Sequence, residues 1–141
     1  MEKILFVDDD AGTQAIARSI LTKEGYEVVI AKDGKEALRL AEETTPDLII
    51  MDYVMPVMGG AETCKALKLN PKTKPIPVIM VTAFAAEKEN SLHAGALDFI
   101  AKPVDRTDLL LRVRSILKVR HIQNELQKIM AYLGELEKCG E

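Results

Sequence analysis

Cysteine is scarce in this chain, and the two present, Cys64 and Cys139, lie far apart with neither in a CxxC pair. That excludes a disulfide framework and a structural zinc site, and leaves free thiols suited to a reducing compartment. Charge of one sign is also lacking. The 22 acidic and 19 basic side chains nearly cancel to a formal net charge of −3, so no overall field draws the protein to nucleic acid or anionic lipid. No apolar run approaches the length of a membrane span, and Met1-Glu2-Lys3 leads into a short strand-like run without the apolar region and cleavage site of a signal peptide. The expectation is a cytoplasmic protein with no direct nucleic-acid binding and no membrane segment.

What is present is enough apolar material for one core: 48% of 141 residues are hydrophobic, which fits one domain with little to spare. The pattern alternates strand and helix. Ile4-Leu5-Phe6-Val7 is continuously apolar and runs into Asp8-Asp9-Asp10. Helix 1 follows, with Ile16, Ala17, Ile20 and Leu21 assigned to one inner stripe, Asp10 as a candidate cap, and a stop near Gly25. Glu27 to Ala31 is strand 2, and Asp33-Gly34 turns into a helix with Ala37, Leu38 and Ala41 inside. Strand 3, Leu48-Ile49-Ile50-Met51, ends at Asp52. Helix 3 starts near Gly60 and buries Cys64 and Leu67, strand 4 spans Ile76 to Val81 and delivers Thr82, and helix 4 covers Glu87 to Ala94. Strand 5, Leu97 to Ala101, delivers Lys102-Pro103, and Asp105 caps a last helix. Five β-α units with short connections imply a doubly wound parallel sheet in a three-layer sandwich.

Unalternating apolar strands suit a parallel sheet covered on both faces, and ligands of such sheets bind beyond the carboxyl ends of the strands. Strands 1, 3, 4 and 5 all end there in polar or charged residues: Asp8 and Asp9, Asp52, Thr82, Lys102. A lone Asp before a proline-containing turn is ordinary turn chemistry. Three carboxylates, a hydroxyl and an ammonium on one edge are not. Clustered acids repel one another, a cost that a hard divalent cation with oxygen ligands offsets, and Mg²⁺ is the natural candidate. Such an ion together with Lys102 also neutralises a phosphoryl group.

These residues resemble a known family. Val7-Asp8-Asp9-Asp10, Met51-Asp52 with Met55-Pro56 and Gly60, Val81-Thr82-Ala83, and Gly95-Ala96 through Phe99 to Lys102-Pro103 look like the receiver domain of two-component response regulators, over residues 1–118. The resemblance implies a flavodoxin-like (βα)5 fold with strand order 2-1-3-4-5. It implies that Asp52 accepts a phosphoryl group from the phosphohistidine of a sensor histidine kinase or phosphotransfer protein. Mg²⁺ would be held by Asp9, Asp52 and the backbone carbonyl of Val54, with Asp8 holding metal-bound water. Thr82 and Lys102 would contact phosphoryl oxygens. Thr82 and Phe99 would act as switch residues that remodel the face made by helix 4, strand 5 and helix 5, and the Lys102–Pro103 bond would be cis. The implied role is a phosphoacceptor rather than an enzyme, with only intrinsic self-phosphorylation and self-dephosphorylation. Gly59 stands where many relatives have Asp or Asn, and Val54 and Phe84 are apolar at positions thought to tune dephosphorylation.

Rival classes fit less well. A haloacid-dehalogenase-type phosphohydrolase wants a second acid two residues after its nucleophile, where this chain has Val54; a dinucleotide-binding module wants a glycine-rich turn where it has three acids. A non-phosphorylated pseudo-receiver, acting as a scaffold through its tail, would be expected to lack Asp9, Asp52 or Lys102. Residues 119–141 form a helical extension of helix 5 in which Val119, Ile122, Leu126, Ile129, Leu133 and Leu136 recur at spacings of three and four, a short heptad seam for a homodimer through residues 119–136. No effector motif is legible in the tail, so the chain reads as a stand-alone receiver or the front of a longer regulator.

Overall fold

A computed structural model of the chain describes residues 1–139. The elements are β1 (Lys3–Val7), α1 (Ala11–Lys23), β2 (Glu27–Ala31), α2 (Gly34–Thr44), β3 (Leu48–Asp52), α3 (Gly60–Leu69), β4 (Val78–Thr82), α4 (Ala85–His93), β5 (Asp98–Ala101) and α5 (Arg106–Cys139). All strand pairs are parallel, and the sheet order is β2-β1-β3-β4-β5, the flavodoxin-like arrangement. The last two residues of the tail extension lie outside the described residues.

The sheet is buried on both faces because each strand splits its apolar residues between two cores, as side-chain alternation requires. Leu5, Val7, Ile49, Met51, Val78 and Met80 pack under α2 and α3 with Ala37, Ala41, Cys64 and Leu67. Ile4, Phe6, Leu48, Ile50, Ile79 and Val81 face the other way, against Ala17 and Leu21 of α1 and Leu109, Val113 and Leu117 of α5. Cys64 is therefore a core side chain, and burial pushes its thiol pKa up, away from reactivity.

Helix starts follow local chemistry. Asp10 caps α1 by accepting from Thr13 N at 2.8 Å, Asp33 caps α2 by accepting from Glu36 N at 2.8 Å, and Asp105 accepts from Asp108 N at 2.9 Å at the head of α5. The cap of α3 is Gly59, which has no side chain to offer. Gly25, at φ +90°, turns the chain out of α1 in a conformation that glycine adopts without strain.

Three sequence expectations are corrected. Ile16 is 64% exposed rather than on the inner stripe: Ala17 and Leu21 fill the groove against the sheet, and Ile16 points to the rim above the strand ends. Strand β4 begins at Val78, not Ile76, since Pro75 and Pro77 have no N–H to give a ladder. Helix α4 begins at Ala85, two residues earlier than its apolar pattern indicates, and the Glu87 carboxylate turns back to accept from Ala83 N at 3.3 Å.

Close approach at one glycine governs how β3 leads into α3. Gly60 N donates to Tyr53 O at 2.8 Å, and a Cβ at Gly60 would lie 2.8 Å from Tyr53 Cα and 2.9 Å from Met80 Sδ. Backbone on one side and a buried strand on the other leave little room to relax. Gly60→Ala is expected to lower stability by about 1–3 kcal/mol, the usual cost of overpacking, measured as a shift in the urea midpoint at unchanged slope. A midpoint equal to wild type would contradict this packing.

Candidate functional site

Register explains why residues distant in sequence meet. Val7 pairs with Met51, so Asp8 lies level with Asp52; Asp52 pairs with Val81 and Thr82 with Ala101, so Thr82 and Lys102 follow on the same edge. The topology thus gathers the ends of β1, β3 and β5 into one cleft of about 380 Å³, with Val81 of β4 on its wall and Thr82 buried next to Val81 in sequence. Asp8, Asp9, Asp52 and Lys102 line it, and Ile16, Pro103 and Val104 form part of its rim.

Asp8, Asp9 and Asp52 each present a carboxylate oxygen, and these oxygens all lie within 4.8 Å of one another. Asp8 and Asp52 are buried and Asp9 is exposed. Lys102 Nζ contacts both oxygens of Asp52, at 3.0 and 3.1 Å. One ammonium against three carboxylates leaves an uncompensated negative site. Its donors are all oxygens, a set that suits a hard cation such as Mg²⁺.

Hydrogen bonds fix the acids in place. Asp8 accepts from Asp10 N at 2.9 Å, and Asp52 accepts from Val54 N at 3.3 Å. The Val54 side chain is exposed, as is that of Phe84. Thr82 is buried, and among the described residues its hydroxyl has no hydrogen-bond partner. An orphaned buried hydroxyl carries a real cost unless something arrives to accept from it. Phe99, on β5, is half-buried, with Lys88 Nζ of α4 lying 5.1 Å from its ring centroid. The Lys102–Pro103 peptide bond is cis.

Gln14 was missed by the sequence reading. Its side-chain amide donates to Asp8 O at 2.7 Å and so pins the turn between β1 and α1. Nothing in its spacing marks it, because a glutamine on the first turns of a helix is ordinary. Val57 holds φ +69° in the loop after β3, an uncommon conformation for a β-branched residue. No sequence signal announces it either.

With the geometry in hand, comparison with known proteins gives the family. Residues 4–114 match the response regulator receiver domain. The chain belongs to the receiver domains of two-component response regulators. It is 39% identical over 128 residues to the response regulator PleD of Caulobacter vibrioides, covering 89% of this chain and 28% of that protein. It is 38% identical over 129 residues to the transcriptional regulatory protein CpxR of Escherichia coli, covering 90% of this chain and 54% of that one. The chain therefore spans roughly a quarter to a half of the length of these curated relatives. A solved receiver domain of a sensor histidine kinase from Pseudomonas aeruginosa PAO1, with a magnesium ion coordinated in its active-site cleft, aligns with a TM-score of 0.78 at 31% identity, over 83% of this chain and 98% of that one. Among the described residues, no helix is long and apolar enough to cross a membrane.

Burial, more than any neighbour, pushes the Asp8 carboxyl above its ordinary value of 3.8; Asp52 and Asp9 push the same way, while the Asp10 N–H and Lys102 oppose. Between 3.8 and the raised value, the folded chain holds a proton that the unfolded chain has released. Stability from this group is thus full below 3.8 and lost as pH rises through the folded pKa. Asp8→Asn keeps an oxygen for Asp10 N and removes the charge. In metal-free buffer it is expected to be more stable than wild type at pH 7, with the gap closing as pH falls toward 4; chemical denaturation across pH checks this. A gap that widens on acidification would contradict it.

Proposed function

We propose that Asp52 is the phosphoacceptor of this receiver, taking a phosphoryl group from the phosphohistidine of a sensor histidine kinase or a phosphotransfer protein. The observation that carries this reading is one buried carboxylate held by Lys102 at 3.0 Å, with two further acids within 4.8 Å and a partnerless hydroxyl on the next strand. An Asp52 oxygen attacks phosphorus, the P–N bond to imidazole breaks, and the leaving imidazole takes up a proton. Asp9, Asp52 and the Val54 carbonyl would hold Mg²⁺, with Asp8 holding metal-bound water, and the ion when bound supplies charge neutralisation for the transferring group.

Lys102 stays within reach of the same edge and offers its ammonium to a phosphoryl oxygen as a point charge. Thr82 gives the hydroxyl that has no partner in the unmodified protein. Its movement toward the phosphoryl group opens space for Phe99, which biases the face formed by α4, β5 and α5 toward a second arrangement. This is the work of a signalling phosphoacceptor with only its own self-phosphorylation and self-dephosphorylation, not of an enzyme with an external substrate. Presence of Asp9, Asp52 and Lys102 in one constellation favours it over a phosphorylation-independent scaffold.

Incubation with a small acyl phosphate donor and Mg²⁺, followed by intact-mass measurement, tests the reading. Wild type is expected to gain one phosphoryl mass, Asp52→Asn none, and Lys102→Ala to label about 10²-fold more slowly, the usual scale for removing one transition-state charge contact. Equal labelling of wild type and Asp52→Asn would overturn it.

A further inference from the structure

Helix α5 carries two apolar stripes, and only one of them is covered. Leu109, Leu110, Val113 and Leu117 are buried against the sheet. Among the described residues, the last α5 side chain hydrogen-bonded outside its own helix is Arg120, which donates to Asp47 O at the head of β3. Beyond it the helix runs without a break to Cys139, and nearly every residue is exposed. Along this free length Val119, Ile122, Leu126, Ile129, Leu133 and Leu136 are each between 49% and 55% exposed. A continuous apolar stripe of this kind is uncommon on a monomer.

We infer that the seam of Val119 to Leu136 is the contact surface for a second copy of this chain, in a parallel two-stranded coiled coil. The inference stands apart from the phosphoacceptor reading, since it uses no residue of the cleft. Spacings of 3, 4, 3, 4 and 3 put Val119, Leu126 and Leu133 at the first core position of the heptad and Ile122, Ile129 and Leu136 at the second. The opposite side is polar, with His121, Asn124, Gln127, Lys128, Glu135 and Lys138 at outer positions. Glu125–Lys128 and Glu135–Lys138 pair along that surface at 3.3 and 3.5 Å. Gly134 is also on the outer side and leaves the seam unbroken.

Three features identify the occupant as a second copy. First, every seam layer is apolar, so an identical helix in register fills it without leaving a polar group unpaired. Second, the flanking contacts across a parallel pair would be Lys118 with Gln123, Glu125 with Met130 and Tyr132 with Glu137, so no like charges are opposed. Third, the seam lies on the order of 180° around the helix from the docked stripe, at about 100° per residue. Two domains joined through it sit on the outside of the pair, with both Asp52 clefts open. Val119 at a first position and Leu136 at a second are the residues that two-stranded coils use, whereas Ile122 and the Leu126–Ile129 pair are ones that higher-order coils use, so stoichiometry is a sharp test. The seam is short, roughly 25 Å long at 1.5 Å per residue, so the association is expected to depend on concentration.

Sedimentation equilibrium on the intact chain, from low micromolar to about 0.5 mM, reads the pairing. Wild type is expected to reach the mass of two chains. Leu126→Glu should weaken association at least tenfold with the domain still folded by circular dichroism, and Gln127→Lys, on the outer side, should pair like wild type. Leu136→Cys in a Cys139→Ser background should form an interchain disulfide under mild oxidation, because a parallel pair brings the two Leu136 positions together. A monomer throughout the range, a mass of four chains, pairing untouched by Leu126→Glu, or no Leu136→Cys disulfide in a dimer would each overturn the proposal.

Discussion

Three carboxylates held within 4.8 Å of one another are the constraint on which the rest of this molecule depends. Placed on the edge of a buried sheet, they repel; burial first, and the Asp52 and Asp9 charges after it, raise the Asp8 pKa. Lys102 offsets some of it by sitting 3.0 Å from Asp52. What remains is net negative charge and, at the end of the neighbouring strand β4, a Thr82 hydroxyl without a partner among the described residues. The fold supplies the stability that keeps these groups together: buried strand residues on both faces of the sheet pack against helices in two separate cores.

The same sheet that assembles the cleft connects it to the surface. Thr82 ends β4, and its pairing partner Ala101 immediately precedes Lys102 on β5, the strand that also carries Phe99. Helix α5 is bound to this edge by Arg112, which bridges Asp98 at 2.6 Å and Asp108 at 2.9 Å. It is bound to α1 by Arg114, which reaches Glu24, and to the start of β3 by Arg120. These three arginines on one helix fix its rotation about its own axis. That rotation decides which stripe meets the sheet and which faces outward.

Much of the fold was legible in the sequence because a buried parallel strand leaves a plain mark: β2, β3 and the helix caps Asp10, Asp33 and Asp105 follow directly from apolar runs and capping residues. The strand order does not. Periodicity says that Asp8, Asp52, Thr82 and Lys102 end strands, but only the order β2-β1-β3-β4-β5, obtained from family resemblance, puts those ends side by side. Ile16 shows the limit of a helical stripe as a guide: where small Ala17 and Leu21 already fill the groove, the neighbouring isoleucine is left at the rim. Gln14 and Val57 were illegible for a different reason. One acts through a backbone carbonyl and the other through its own backbone angle, and neither leaves a side-chain pattern.

The central claim is that repulsion among Asp8, Asp9 and Asp52 is relieved by a divalent cation, and direct binding tests it best. Calorimetric titration of Mg²⁺ into metal-free protein, paired with thermal unfolding, should show one ion per chain. At free metal about tenfold above its dissociation constant, linkage should add roughly 1.4 kcal/mol of stability, and Asp9→Asn should weaken both effects at least tenfold in metal concentration. Wild type and Asp9→Asn that bind Mg²⁺ equally, or a wild-type melting temperature indifferent to the ion, would contradict the account.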